Sequence, residues 1–434
     1  MILLKNLKKY ILSSLIKSII GTLLFAIIYV FSNMQLVKEV AEDIAFDTLN
    51  TYVLENRSVE TRSPNVMLFG IDDYYLRSEG LLNDDNQTNY GDFLPRDKLA
   101  KFVKKIDVLT EDFMKEQQPK ALFIDYDFSF KSSAYNKTLT LEDKVFLEVL
   151  KEPRGYPILL PKTNNYNYIE SSKDLKIQEL IFEQKIIFVS VGLAYSEDFS
   201  TKRYVAYKSF KNSVTNKEHN YVNVSVAMWL LANEQNISSS QLKAQNVVGN
   251  RILIKNYKEN AFKESDFKIK KNYWKELNYY SANYPSSMIV TENLYGSLIM
   301  LGATYSSSKD VLNISASDGG KLSGVEVHAN ALMSLFNFNG TLKKYNFLKS
   351  LIYIFMIFFI MDIVANLLFD TVLIRFEEYK IIGSFTLITF SLLLLSLLIL
   401  AVEKEWFNWF VPMVLFKAVD VLEYIKNYFL KKCH

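Results

Sequence analysis

The chain contains one cysteine, Cys433, among its 434 residues. A single thiol excludes an internal disulfide and leaves no partner for a CxxC or zinc site. Glycine and proline are also scarce, at 14 and 8 residues, which excludes fibrous and low-complexity disordered classes. We therefore expect ordered structure throughout, in a chain long enough for two or three domains.

Catalytic motifs are missing as well. The sequence contains no GxxxxGK[ST], no HExxH and no GxSxG, and its only histidines are His219, His328 and His434. His328 lies on an apolar-patterned helix, where a hydrogen-bonded structural role is favoured over that of a general base. The sequence thus predicts a protein that is not an enzyme, with no cofactor and no metal site.

Charge of one sign does not dominate. The chain has 50 Lys and Arg against 47 Asp and Glu, which leaves a formal net charge of +3. No overall positive field attracts nucleic acid, so we exclude nucleic acid as a partner.

The apolar residues are concentrated in four segments, although the mean hydropathy is only +0.04. A cleaved signal peptide is disfavoured for the first segment, because the apolar stretch is long and FSNMQLVKEV offers no small-x-small cleavage site. Stretches of this length and composition predict membrane-spanning helices, one N-terminal and three C-terminal. The predicted spans are Ser18–Met34, Leu351–Leu368, Ile381–Val402 and Trp406–Tyr424.

Basic residues at both ends predict the orientation of these spans. Lys5, Lys8 and Lys9 precede the first span, and Lys426, Lys431 and Lys432 follow the last, so both termini are expected in the cytoplasm. The predicted domains are 1–34 (N-terminus and first helix), 35–345 (extracytoplasmic domain), 346–425 (three helices) and 426–434 (cytoplasmic tail).

Three ionisable residues lie within or near the C-terminal spans. Lys417 and Asp420 lie near the cytoplasmic end, where interfacial placement is the favoured interpretation. Asp362 lies deeper and is the better candidate for pairing within the bundle or for coupling to a partner's membrane helix.

The extracytoplasmic region alternates between apolar strand patterns and amphipathic helix patterns. Such alternation predicts an α/β domain with a largely parallel sheet. The predicted strands are 65–71, 121–128, 185–193, 250–256 and 295–304, and the predicted helices are 95–117, 141–151, 225–233 and 324–336.

Several predicted strands end in carboxylates, and ligands of parallel sheets usually bind beyond the carboxyl ends of the strands. We expect these candidate ligand-binding residues at one edge: Asp72, Asp73, Arg96, Asp125, Asp127, Thr304, Asp310 and His328. Two interpretations remain open. The carboxylates bind a hard cation or a basic ligand, or they cap helices and pair with Arg96, which is the commoner arrangement. The alternation in IDYD predicts that Asp125 and Asp127 point to the same side of the sheet.

These segments resemble the CHASE type 2 family of extracellular sensory domains, which occur beside bacterial cyclases and histidine kinases. The resemblance covers nearly the whole chain, including the order of one span, the domain and about three further spans. It implies that the chain senses an extracytoplasmic signal at the inner membrane of a bacterium. The resemblance is carried by VMLFGIDDYYL, YGDFLPRDKLAKFV, QQPKALFIDYDFSF, LYGSLIMLGATYSSSKD and GVEVHANALMSLF.

Two features depart from the family pattern. A polar insertion, LLNDDNQTNY, occupies the region before Phe93-Leu94, which replace the usual Trp. The chain also ends about ten residues after its last predicted span, whereas family members commonly continue into an output domain. We therefore expect signalling in trans.

Two functions follow as hypotheses: a non-catalytic receptor subunit, or a structural component of an envelope assembly such as a secretion or motility apparatus. Expected partners are the lipid bilayer, an effector or envelope subunits, an unknown small-molecule ligand and a second copy of the chain. Asn86 and Asn236 match a bacterial glycosylation pattern that chance explains equally well.

Overall fold

The computed structural model describes residues 2–31, 45, 48, 65–82, 94–130, 139–195, 201–235, 277–282, 285–289, 291–313, 321–337, 340, 343–344, 346–371, 380–403 and 405–415. The chain divides into two compact units. One comprises residues 1–55 with 342–434, and the other residues 56–341. Each unit is described separately.

The unit of residues 56–341 contains six helices and twelve strands among the described residues. The helices are α2 (Asp73–Ser78), α3 (Arg96–Leu109), α4 (Leu141–Lys151), α5 (Leu175–Phe182), α6 (Val224–Ala232) and α7 (Gly324–Asn337). The strands are β1 (Val66–Ile71), β2 (Ala121–Asp125), β3 (Ile158–Pro161), β4 (Ile186–Val189), β5 (Leu193–Tyr195), β6 (Thr201–Tyr204), β7 (Tyr207–Lys211), β8 (Glu218–Val222), β9 (Leu277–Ser281), β10 (Leu298–Ala303), β11 (Val311–Asn313) and β12 (Lys321–Ser323).

A six-stranded sheet with the order β4-β3-β2-β10-β1-β9 forms the centre of this unit. All five strand pairs are parallel, which confirms the predicted parallel α/β fold. The central strands consist almost wholly of buried apolar residues, as expected where helices cover both faces of a sheet.

The sheet lies between two apolar layers. Residues of alternate positions, such as Phe69 and Ile124, pack with the helices α2 to α5 on one face. The intervening positions, such as Leu68 and Phe123, pack with α6 and α7 on the other face. This division follows from the two-residue period of strands, and it gives a three-layer α/β/α arrangement.

Gly302 of β10 allows α7 to pack closely on the sheet. A Cβ atom at this position would lie 2.5 Å from the Cβ atom of Val325, which is far below a normal contact distance. The side chain of Val325 is fully buried against β10. The close packing of helix and strand therefore requires glycine at position 302.

The antiparallel hairpin of β7 and β8 is held to the region after β3 by a buried ion pair. Lys162 follows β3, and its Nζ donates to Oε2 of Glu170 at 2.5 Å and to Oγ of Ser213 at 2.8 Å. Glu170 also accepts from the hydroxyl of Tyr221, in β8, at 2.6 Å. This network fixes the hairpin beside the carboxyl end of β3.

Among the described residues, the other unit contains three long, strongly apolar helices. They are α1 (Ile2–Phe31), α8 (Phe347–Thr371) and α9 (Lys380–Glu403), together with two-residue strands β13 (Lys343–Lys344) and β14 (Glu405–Trp406). Among the described residues, two stretches are long and apolar enough to cross a membrane, Tyr10–Ile27 and Phe347–Leu367. A shorter apolar stretch covers Thr386–Leu400.

The sequence predicted four spans, and the structure supports two candidates of full length. The fourth predicted span does not begin at Trp406, because this residue lies in β14, paired with β13. Helical structure begins instead at Phe410, and the chain after residue 415 lies outside the described residues, as do Lys417 and Asp420.

Several predicted elements differ from those observed. The helix predicted over 95–117 ends at Leu109, where Thr110 forms its C-cap. The strand predicted over 121–128 ends at Asp125, because the chain turns through a hydrogen bond from the Tyr126 N–H to the carbonyl of Ile124. The strand predicted over 250–256 and both possible glycosylation sites lie outside the described residues.

Candidate functional site

The carboxyl ends of three central strands form the edge where the sequence predicted a site. Asp125 is the last residue of β2, and it pairs in register with Gly302 of β10, which pairs in turn with Gly70 of β1. The residues two positions earlier in these strands lie on the face covered by α6 and α7. Because Gly302 and Gly70 have no side chains, the two strands next to β2 place no side chain beside that of Asp125 at this position.

Asp310 lies beside Asp125 and at the start of α7. The carboxylate oxygens of Asp310 lie so close to Gly324 that a Cβ atom there would approach them within 2.4 Å. The Gly324 N–H donates to the carbonyl of Asp310 at 3.0 Å. Partial burial of the carboxyl group raises the pKa of Asp310, although the residue as a whole is exposed. Burial, and then repulsion from Asp310, raise the pKa of Asp125 well above its usual value.

Asp72 and Asp73 follow β1 and begin α2. Asp72 is the N-cap of this helix: its Oδ1 accepts from the Tyr75 N–H at 2.8 Å and from the Ser281 hydroxyl at 2.9 Å. Burial raises the pKa of Asp72. Asp73 accepts from the N–H and the hydroxyl of Ser306, which lies in the loop after β10. The capping interpretation is therefore right for Asp72.

Asp127 lies beyond the end of β2, so strand alternation does not place it beside Asp125, and that prediction was wrong. Its Oδ1 accepts from the Ser129 N–H and from the Thr163 hydroxyl, both at 2.7 Å. These contacts fix the loop after β2 against the loop after β3. Among the described residues the predicted pairing of Arg96 with these carboxylates is absent.

Arg96 instead contacts the main chain and an aromatic ring. Its Nη2 donates to the carbonyl oxygen of Asp127, and the guanidinium carbon lies 4.6 Å from the centre of the Phe128 ring. The residue is only 1% exposed, yet its Nε and Nη1 have no hydrogen-bond partner. The ring of Tyr168 packs against Phe128, with 6.2 Å between the ring centres, and its hydroxyl interacts with Arg96 and with the buried Asp143.

Thr304 and His328 complete the predicted set. The Thr304 N–H donates to the carbonyl of Ile71 at 2.9 Å, which extends the pairing of β10 with β1. His328 is buried in α7, with its ring 6.1 Å from Phe123, and burial lowers its pKa to about 4. The imidazole is therefore neutral near pH 7, and its Nδ1 has no hydrogen-bond partner.

The structure separates the predicted residues, and three of them lie in two groups. Asp125 and Asp310 lie near the start of α7, whereas Arg96 lies with Phe128 and Tyr168 near the start of α3. Among the described residues no group of three or more His, Cys, Asp or Glu is placed to bind a metal ion. The sequence pattern missed Tyr126 and Tyr168, since buried aromatic residues are normally read as core.

Asp362 lies in the apolar unit and pairs with α1. Its Oδ2 accepts from the Ser14 hydroxyl at 2.5 Å and from the Asn366 amide at 3.1 Å, and its Oδ1 lies 4.0 Å from Nζ of Lys17. The buried carboxylate thus connects α8 with α1, as pairing within the bundle predicts.

These features define a class of protein. Its members have a parallel α/β domain that is preceded and followed in sequence by apolar helices of membrane-spanning length. The chain matches the family of the CHASE2 domain over residues 21–364, which is most of its length. It therefore belongs to the CHASE2 family, whose domains are extracellular and sensory. No curated protein sequence and no solved structure matches the chain.

Proposed function

We propose that this protein is a non-catalytic membrane sensor subunit. Its α/β domain lies outside the cytoplasm and detects a ligand or an envelope partner, and its membrane helices transmit the change in trans to a separate effector. In this proposal four helices cross the inner membrane of a bacterium and both termini are cytoplasmic.

The family match is the observation that supports this proposal most strongly. It extends from residue 21, inside α1, to residue 364, inside α8, and so joins the α/β domain to both candidate spans. A sensory domain connected at both ends to membrane helices is arranged to pass a conformational change into the bilayer. The buried Ser14–Asp362 contact between α1 and α8 provides a polar connection that such a change would alter.

Side-chain groups at the sheet edge support a ligand-binding role. Asp125 and Asp310 form a pair of carboxyls with raised pKa values, and Arg96 has hydrogen-bond donors without partners. Natural proteins rarely leave buried polar groups unsatisfied unless the site has a function or binds water. In this proposal these groups take part in ligand recognition.

Co-purification from native cells tests the proposal. The tagged full-length protein is extracted in mild detergent, and all proteins that travel with it are identified by mass spectrometry. We expect a separate cyclase, kinase or phosphatase, recovered in amounts that depend on the growth medium. Recovery only of envelope-complex subunits, at fixed stoichiometry in every medium, would contradict the sensor function.

A second candidate function, a structural subunit of an envelope assembly, is favoured by one observation. α5 exposes two large apolar side chains, Leu175 at 86% and Phe182 at 89%. Apolar side chains of this size on one helix are typical of protein–protein contacts. Replacing both with serine distinguishes the functions, because a scaffold loses its stoichiometric partners whereas a sensor keeps its ligand response.

A further inference from the structure

A cleft of about 420 Å³ lies between the ends of α3 and α4. It is bounded by the segments that lead from α3 into β2 and from α4 into β3, so it lies at the amino ends of these strands. This is the opposite end of the sheet from Asp125, the last residue of β2. A cleft of this volume is large enough for a small-molecule ligand.

Carboxylates dominate the charge of the cleft. Its lining contains Asp107, Glu111 and Glu152 against one guanidinium group, that of Arg154. The Nε and Nη2 atoms of Arg154 donate to the two carboxylate oxygens of Asp107, both at 3.2 Å. Its Nη1 and Nη2 also donate to main-chain carbonyls at the end of α4. Arg154 therefore compensates Asp107 and the end of α4, but not the other two carboxylates.

Glu111 and Glu152 are open to an incoming cation. Glu111 is exposed, and among the described residues it forms no ion pair. Glu152 lies 3.3 Å from Nζ of Lys104, but the two side chains are 43% and 56% exposed. Water weakens an ion pair of this exposure, so a bound ligand that contacts Glu152 more closely would displace Lys104.

Uncharged groups add to the negative potential. Carbonyl groups at a helix C-terminus carry partial negative charge, and α3 ends here without a basic residue in its last turn. The Gln118 amide has a fixed orientation, because its Nε2 donates to the carbonyls of Thr110 and Phe113 at 2.9 and 3.1 Å. Its Oε1 then lies against Gly155 and has no described hydrogen-bond partner. The floor of the cleft thus presents acceptors rather than donors.

Apolar surface lies beside these carboxylates. Val108 is 69% exposed, and Pro153 is also exposed, and both line the cleft. A bare metal ion gains nothing from such surface, and no group of three or more His, Cys, Asp or Glu in the described part of the chain is placed to bind one. An organic cation gains from both the charge and the apolar contacts.

We propose that this cleft binds a small alkylammonium ligand. Glu111 and Glu152 accept charge-assisted hydrogen bonds from the ammonium group, and the alkyl chain packs against Val108 and Pro153. An amine that carries a second ammonium group uses both carboxylates at once. This inference deepens the proposed sensory function, on which any signalling role of the ligand rests, by assigning it a site and a ligand class.

The test uses the full-length protein in detergent micelles at pH 7.5, with ionic strength held constant by sodium chloride. Pentylamine and pentanediamine are the probes, and calorimetric titration and the thermal midpoint are the readouts. We expect saturable binding of both amines, tighter for the diamine, and a rise in the midpoint of about 2 °C or more. Sodium pentanoate, which has the same chain length and the opposite charge, should produce neither effect.

Variants connect this binding to the proposed contacts. Glu111→Gln should weaken binding roughly fivefold or more, because a neutral amide of the same size replaces the carboxylate. The double variant Glu111→Gln, Glu152→Gln should remove binding. Val108→Ser should weaken pentylamine binding, since part of the apolar wall is lost. Glu116→Gln is the matched control, because Glu116 is exposed in the same segment but does not line the cleft, and it should leave the affinity unchanged.

Three results would overturn the proposal. They are no saturable binding of either amine, binding retained in the double variant, and an equal response to calcium chloride at the same ionic strength, which would show a general effect of cations. Titration reports binding whether or not an effector exists. Failure here therefore leaves the co-purification test unaffected, and failure of that test leaves amine binding intact.

Discussion

At the scale of single residues, Asp125 and Asp310 are two neighbouring carboxyls whose pKa values are both raised. Burial raises the pKa of both carboxyls, and repulsion from Asp310 raises that of Asp125 further. The main chain keeps them together: Asp125 ends a central strand, and Asp310 is held at the start of α7 through Gly324. The cost of this arrangement at neutral pH has a measurable consequence.

Replacing Asp125 with asparagine should change how stability depends on pH. The folded-state pKa lies above the unfolded value of 3.8, so the folded protein binds more protons and loses stability as pH rises. We expect the free energy of unfolding of the wild type to fall as the pH rises above the unfolded-state pKa of 3.8. Asp125→Asn should abolish part of this fall, because the amide does not ionise, and its stability relative to the wild type should increase as the pH rises.

Thermal midpoints of full-length protein at several pH values measure this effect. Asp112→Asn is the control, because Asp112 is exposed, and its pH profile should follow that of the wild type. An Asp125→Asn profile parallel to the wild type would show that Asp125 ionises normally in the folded protein.

The sequence predicted that Asp72 and Asp125 lie at the carboxyl ends of strands, but not the partners of the buried Lys162. Asp72 and Asp125 were identified because each directly follows an apolar strand pattern. The Lys162 network could not be found in this way, because Ser213 and Tyr221 come from a hairpin about 50 residues later in the chain. No local pattern indicates that this hairpin folds back onto the end of β3.

At the scale of secondary structure, prediction succeeded where local patterns were strong and failed where long-range packing decides. α4 matches the predicted bounds, since the Thr140 capping box and the amphipathic pattern both fix its start. β9 was missed, because its sequence, LNYYS, lacks a continuous apolar run and the strand depends on pairing with β1. β3 is only four residues long and was also missed.

The contact between α7 and β10 provides a test at this scale. Gly302→Ala places a methyl group 2.5 Å from Cβ of Val325, so the helix must move away from the sheet. We expect the free energy of unfolding to fall by roughly 1–3 kcal/mol, the usual cost of overpacking. Chemical denaturation of the full-length protein measures the change.

Met300→Leu is the matched control for this substitution. Met300 lies on the same strand as Gly302 and packs in the same apolar layer as Val325. The change from methionine to leucine conserves the side-chain volume. It should cost less than about 1.5 kcal/mol. Equal effects of the two substitutions would mean that α7 packs more loosely than the Gly302–Val325 distance indicates.

At the scale of the whole molecule, the proposed orientation is testable with the chain's own thiol. Cys433 is the only cysteine, so it reports the position of the C-terminus without any substitution. Leu175→Cys and Lys217→Cys, each in a Cys433→Ser background, report the α/β domain, since both positions are exposed. With the outer membrane permeabilised, a membrane-impermeant maleimide should label both engineered positions in otherwise intact cells.

Cys433 should be labelled only after the inner membrane is broken. Labelling of Cys433 in intact cells would place the C-terminus outside and would require an odd number of crossings. Protection of Leu175→Cys would instead place the α/β domain in the cytoplasm and contradict a sensory function in the envelope.

The strand order has a consequence for how this protein is made. β1 emerges early from the ribosome, but its neighbours in the sheet are β9 and β10, with Val66 paired to Leu298. More than two hundred residues must be synthesised before either neighbour exists. Until then β1 exposes two apolar faces and two unpaired edges, which are the features that promote aggregation. Nascent chains shorter than about 300 residues should therefore depend on chaperones and be protease-sensitive.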